Sequence, residues 1–257
     1  MDARHRIATF WDEHLERWVA GDRTLPADLA AWHGSYRGRG AGEVKLDAFP
    51  EPVVGPLTGS PRLVMLGLNP GGAVHAFQGA DGIFTRQIAA NSYTEWAASS
   101  PYTSAEWEEA IGRNTYHRNR LAFARRLLAD PTVEPEELLT VELYPFHSSR
   151  VTAPMLPGRE ILDEFVFAPL AELDVEYVFA FGKPWLHAAS EIGLGRGEAL
   201  DAAWSTPSRS VTRFSLPGGA TLLVGAQNGY AGPPGAADTA TLRTALGLPS
   251  EWSMRFS

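Results

Sequence analysis

Four short apolar runs, each cut off by glycine, proline or a polar cluster, constrain this chain most. The first, Arg62-Leu63-Val64-Met65-Leu66, ends in Gly67-Leu68-Asn69-Pro70-Gly71-Gly72. A continuous apolar run of this length between turn residues is the pattern of a strand buried on both faces. The second run, 138–144, is stopped by Pro145, and the third, 175–181, by Gly182. The fourth, 220–226, follows 210–216 across Pro217-Gly218-Gly219, so the two read as a β-hairpin. Helical patterns separate the runs: 105–128, with a possible break at Gly112 and Asn114, then 158–171, 184–192 and 237–246. Pro184 suits a first helical turn, where its missing N–H has no helical partner to lose. Strands alternating with helices imply an α/β fold of three layers, αβα. Its central sheet is expected to be mostly parallel, with about four to five strands.

Ahead of this core, Ile7, Phe10, Trp11, Leu15 and Trp18 recur at helical spacing within residues 5–20. A second short helix is expected after Pro26, through Leu29 to Trp32. Residues 35–60 are rich in glycine and proline and read as an irregular connection. This divides the chain into an N-terminal helical arm, 1–44, and an α/β domain, 45–257. No run approaches the roughly 18–20 apolar residues that span a bilayer. The first residues lead into an amphipathic segment bearing Asp12, Glu13 and Glu16, so no signal peptide is expected. Cysteine is absent, which rules out disulfides and cysteine metal sites. These features lead us to expect a cytoplasmic monomer that makes no membrane contact.

In parallel sheets covered by helices, ligands sit at the carboxyl ends of the strands. Three strand ends here carry polar chemistry: the Asn69 loop, Glu142 to His147, and Gln227-Asn228-Gly229-Tyr230. In the first, Gly67, Gly71 and Gly72 allow close approach of backbone to ligand. Asn69 both donates and accepts hydrogen bonds from a short side chain.

The segment Leu63-Val64-Met65-Leu66-Gly67-Leu68-Asn69-Pro70-Gly71 resembles the first motif of the uracil-DNA glycosylase superfamily. It is most similar to the mismatch-specific branch, the thymine- and mismatch-uracil glycosylases, whose loop reads Gly-x-Asn-Pro-Gly. The expected order of strands and helices from about 45 to 247 agrees with that fold. The resemblance implies hydrolysis of the N-glycosidic bond of a damaged or modified base in DNA, without cofactor or metal. It also implies that Asn69 positions the water that attacks the sugar C1′. Gly67, Leu68, Pro70 and Gly71 would then line the base site. The branch lacks the loop Asp of the most active uracil glycosylases, as does this chain, so the implied chemistry is slow. It rests on stabilising charge in the transition state.

The remaining candidates each carry two readings. Glu142 stands where several members place an Asn that reads the base edge; an ionised Glu only accepts hydrogen bonds, and the structural alternative is a helix cap or an internal pair with an Arg. His147 is a candidate to protonate or stabilise the leaving base, or to contact a phosphate. Ser148 beside it raises a Ser–His pair, although adjacent residues rarely face one another. Phe77 and Phe84 follow the first loop and either stack on a flipped base or belong to the core. Gln227 and Asn228 occupy the position where active glycosylases carry His or Asn before Pro-Ser, and Tyr230 is the large side chain available there as a wedge. Arg118 and Arg125 lie two turns apart on one face of the expected helix, suited to a DNA backbone or simply to solvent. The net charge of −8 counts against an extended grip on nucleic acid. The expected partner is therefore DNA or a nucleoside-like small molecule. The alternatives are a non-catalytic nucleic-acid or nucleotide-binding member of the fold, or a hydrolase of a small nucleoside-like molecule.

Overall fold

A computed structural model describes residues 1–35, 44–150, 157–229 and 232–249. Helices α1 (Ala3–Val19) and α2 (Ala27–Ser35) open the chain. A two-residue strand, β1 (Val53–Val54), precedes β2 (Leu63–Gly67). Helices α3 (His75–Gln78), α4 (Ile83–Ala90), α5 (Tyr93–Ala98), α6 (Ala105–Ala110) and α7 (Thr115–Leu128) fill the excursion to β3 (Leu138–Glu142). Then come α8 (Arg159–Leu162), a π turn over Asp163–Phe167, and α9 (Ala168–Ala171). The chain continues through β4 (Tyr177–Phe181), α10 (Pro184–Glu191), β5 (Glu198–Ala199), β6 (Ser210–Ser215), β7 (Thr221–Ala226) and α11 (Ala236–Ala245).

The chain is α/β, as its alternating pattern implies, but the sheet is larger and more mixed than expected. Among the described residues it has seven strands in the order β1-β3-β2-β4-β7-β6-β5. Only β3, β2, β4 and β7 run parallel to their neighbours in that block. The strands β1, β6 and β5 are added antiparallel at the two sides. Neither β1 nor β5 has a hydrophobic pattern long enough to be read: β1 is two valines between proline and glycine, and β5 is two exposed residues.

Strand alternation divides the core into two halves. Val64, Leu66, Val178, Ala180, Leu222 and Val224 pack on the side of α1, α2, α4, α5 and α10. Leu63, Met65, Tyr177, Phe179 and Leu223 pack on the side of α7 and α11. The period of two that sends neighbours to opposite faces thus buries β2 and β4 completely. The break expected inside 105–128 is real. Gly112 takes φ +91°, and the Asn114 side chain accepts the N–H groups of Tyr116 and His117 to start α7.

The N-terminal helices are built into this core. Trp11, Leu15 and Trp18 are buried, with Trp18 edge-on to Phe49 and Trp11 edge-on to Phe165. Trp32 Nε1 donates to the carbonyl of Leu143 at 2.8 Å, tying α2 to the end of β3. No helix of the described residues is long and apolar enough to cross a membrane.

One glycine is dictated by the sheet edge. Gly55 has φ +117°, and a Cβ there would lie 2.0 Å from the Leu138 carbonyl oxygen. Gly55→Ala combines left-handed strain with a backbone clash. It should destabilise the chain by about 2–4 kcal/mol, read as a lower urea midpoint at unchanged m-value.

Candidate functional site

The carboxyl ends of the four parallel strands open into one cleft of about 880 Å³. It receives Gly67, Leu68, Asn69, Pro70 and Gly71 from the end of β2, and Glu142 from the end of β3. Phe181, Gly182, Lys183 and Pro184 come from the end of β4, and Gln227 from the end of β7. In chain order β3 is laid on one side of β2 and β4 on the other, so the cleft sits where the winding reverses. Helix-covered sheets bind ligands at that position.

The first loop is held by backbone anchors. The Gly67 carbonyl accepts from Leu143 N–H and from Trp185 Nε1, each at 3.1 Å, and Leu68 O accepts from Tyr144 N–H at 3.0 Å. Gly71 turns the chain at φ +85°. Asn69 is fixed by its own amide: Nδ2 donates to Ser148 O at 2.8 Å and to Ser148 Oγ at 3.1 Å. Its acceptor, Oδ1, makes no hydrogen bond among the described residues. A rigid amide with a spare acceptor at a cleft wall can orient a water or a ligand N–H.

Glu142 is the unusual group. It is 5% exposed, its Oε1 accepts from Tyr116 OH at 2.9 Å, and its Oε2 has no partner among the described residues. Burial pushes its carboxyl up to about 7, against the lowering influence of Arg120, the Tyr116 hydrogen bond and His147, and with the help of Glu51. A carboxyl near neutrality can take or give a proton at working pH. This revises the expectation of an acceptor-only Glu142. It has room because of Gly67, where a Cβ would meet Glu142 Oε2 at 2.1 Å.

Arg120 completes the arrangement. Its guanidinium lies 3.3 Å over the Tyr116 ring and 4.6 Å from the Phe181 centroid, and it is 4% exposed. Nε and Nη1 have no hydrogen-bond partner among the described residues. The remaining wall includes Tyr102, stacked on His117 with centroids 4.6 Å apart. Burial, helped by Arg120, drives His117 down to about 3, so it is a neutral ring at working pH.

Several expected site residues lie elsewhere. His147 is buried behind the first loop and does not line the cleft. Its Nδ1 donates to Gly71 O at 3.2 Å, and its Nε2 is 3.2 Å from Glu51 Oε1. Nδ1 is turned to the loop and Nε2 to Glu51 of the segment before β1, so His147 supports the loop from behind. Phe77 and Phe84 are core residues, packed edge-on to each other at 4.9 Å. Asn228 is exposed, off the cleft wall, and its N–H bonds to Ser208 Oγ. Arg118 is exposed and away from the lining. Arg125 turns to the Val133 carbonyl and to Glu134. Tyr230 lies outside the described residues.

Lys183 and Arg150 line the cleft too, but its buried cation is Arg120, from the same basic stretch. Its signal was helical phase: Tyr116, Arg120, Phe123, Ala124 and Leu127 share one face of α7, and Arg120 is buried with the last three. Gln227 reaches the cleft with its Oε1 held by Arg209 Nε at 3.2 Å and Nη2 at 2.6 Å. Arg209 is in turn 3.4 Å from Asp238.

The raised carboxyl has a consequence for stability. Glu142 holds its proton more tightly folded than unfolded, so its contribution to stability is fullest below about pH 4.5. As pH rises towards 7, the unfolded carboxyl ionises while the folded one resists, and stability is lost. The loss is complete above the folded value, at on the order of 3 kcal/mol. Glu142→Gln should therefore unfold at a higher urea concentration than the parent at pH 8. The gap should close near pH 4.5.

Comparison with known protein families, curated proteins and solved structures finds no match to this chain.

Proposed function

We propose that the chain hydrolyses the N-glycosidic bond of a nucleobase held in the cleft, in the manner of the uracil-DNA glycosylase-like enzymes its first loop resembles. The observation that carries this reading is the meeting of Asn69 and Glu142. Both line one cleft at the carboxyl ends of the parallel strands, Asn69 with its amide fixed by Ser148 and Glu142 with Oε2 unpaired among the described residues. Water oriented by Asn69 Oδ1 attacks C1′ and releases a proton to solvent, and the carbon–nitrogen bond breaks with its electron pair leaving on the base. Glu142, when protonated, supplies a proton to a base that presents a bare ring nitrogen, whereas a lactam base held by the carboxylate leaves as the anion. Arg120 places positive charge beside it while the base is anionic. Groups fixed in advance where charge develops are the main source of such catalysis.

The substrate assigned first is a damaged or modified base in DNA. The test is single-turnover base release from oligonucleotides carrying uracil, hypoxanthine or thymine mismatches, in single and double strands. Tight binding of these strands with no base released at stoichiometric enzyme would leave a binding module in place of a hydrolase.

A second reading, hydrolysis of a free nucleoside-like molecule, is favoured by the electrostatics. The net charge is −8, Arg125 is turned to Glu134, and Arg126 Nη2 donates to the Pro234 carbonyl. A salt titration separates the two. Processing of DNA should weaken steeply between 50 and 200 mM salt, by about tenfold for each few phosphates neutralised, whereas nucleoside cleavage should hardly change.

A further inference from the structure

The cleft contains two buried charged side chains that approach one another without pairing. Glu142 and Arg120 are 5% and 4% exposed. They influence each other electrostatically, and Tyr116 touches both, through its hydroxyl to Glu142 and its ring face to Arg120. Yet no salt bridge joins them. Glu142 Oε2 and Arg120 Nε and Nη1 are left without partners among the described residues. Native chains satisfy such atoms, because an unpaired buried polar group is costly. The missing partner is a group that accepts from a guanidinium on one side and meets a carboxyl on the other. Tyr116 and Phe181 flank the guanidinium, which favours an acceptor approaching along its edge, as a ring carbonyl can.

We propose that Arg120 and Glu142 together read a two-atom edge of a heterocyclic base, Arg120 donating to a ring carbonyl and Glu142 contacting the adjacent ring nitrogen. This deepens the hydrolase reading by naming what the site recognises, and it rests on a base occupying the cleft. Arg120 stays a donor at all working pH, so the carbonyl is always required. Glu142 is the variable half. As a carboxylate it accepts from a ring N–H, the lactam edge O=C–N–H of uracil or hypoxanthine. As a neutral acid it donates to a bare ring nitrogen, the O=C–N= edge of cytosine. Adenine, without a ring carbonyl, satisfies neither state. The charged and titratable groups facing Glu142 are Arg120 and Tyr116 from α7, Glu51 from the segment before β1, and His147 from beyond β3. Together with burial they place its titration near pH 7. Lactam bases are therefore expected to bind more tightly as pH rises through neutrality, and the cytosine edge more tightly as pH falls.

Free bases give a direct test, because they contain no bond to hydrolyse. Calorimetric binding of 9-methylhypoxanthine, 1,9-dimethylhypoxanthine, 1-methyluracil, 1,3-dimethyluracil, 1-methylcytosine and 9-methyladenine, in which one methyl stands where the sugar would be, would be measured at pH 6 and pH 8 on the full chain. The expected result is at least about tenfold discrimination of each lactam against the form with its edge N–H methylated and opposite pH trends for 1-methyluracil and 1-methylcytosine. Glu142→Gln, nearly the same shape and not titratable, should abolish both trends while still binding. Arg120→Lys keeps the charge and loses the planar fork, so binding of every carbonyl base should weaken. Edge-methylated lactams that bind as tightly as their parents overturn the proposal even if both variants misfold, since the ligands alone carry that comparison. Trends that persist in Glu142→Gln overturn it too. Base release that proceeds without edge discrimination defeats this proposal and leaves the hydrolase reading standing. Discrimination by free bases without any base release keeps the edge-reading pair and defeats the hydrolase.

Discussion

Asn69→Ala should lower single-turnover cleavage by roughly 10²–10³ while changing substrate affinity only severalfold. The expectation follows from how the side chain is held. Nδ2 is committed to the Ser148 carbonyl and hydroxyl, so the amide cannot rotate to follow a ligand, and Oδ1 stays aimed by the loop. In the proposed hydrolysis such an acceptor acts on the attacking water and the growing positive charge of the sugar, which exist in the transition state and hardly at all in the bound substrate. Asn69→Asp is the informative companion. It keeps an acceptor but loses the donor to Ser148, so it tests whether the amide's immobility matters as much as its oxygen. Rapid-quench cleavage and equilibrium binding, measured separately, check the claim. Equal losses in the two for Asn69→Ala would mean that the loop only holds the ligand.

Gly67→Ala should abolish discrimination and cut turnover by on the order of 10²-fold, for a reason unrelated to backbone freedom. The added methyl would sit 2.1 Å from Glu142 Oε2 and 2.5 Å from Oε1. The carboxyl must leave its position, losing the Tyr116 hydrogen bond and its place beside Arg120. The strain should also cost about 1–3 kcal/mol of stability, the usual range for overpacking a core. A double-mutant cycle isolates the cause. Once Glu142→Ala has removed the carboxyl, adding Gly67→Ala should cost little further stability. If Gly67→Ala is as damaging without the carboxyl as with it, the glycine serves the strand and not the site.

The sequence by itself determined the elements and the first loop. The runs 63–66 and 177–181 read as strands because each is continuously apolar and turn residues stop it. Gly112 and Asn114 marked the break between α6 and α7 because one takes a left-handed turn and the other caps a helix, and both are local acts. Asn69 was legible for the same reason: it sits between a strand and a Pro-Gly-Gly turn, so its place at a strand end followed from neighbours in the chain. Tertiary structure decided what depends on distant partners. It supplied β1 and β5, whose two-residue strands exist only by pairing with β3 and β6. It turned His147 away from the cleft toward Gly71 and Glu51, and put Phe77 and Phe84 into the core. It selected Arg120 over Arg118 and Arg125, since burial against Tyr116 and Phe181 depends on which face of α7 meets the sheet. It also gave Glu142 its chemistry. A glutamate at a strand end is acceptor-only in water, and it becomes a proton donor near pH 7 through the loss of water imposed by walls from β2, α7 and the segment before β1. Local geometry is written in adjacent residues, whereas dielectric environment and pairing are properties of the packed whole.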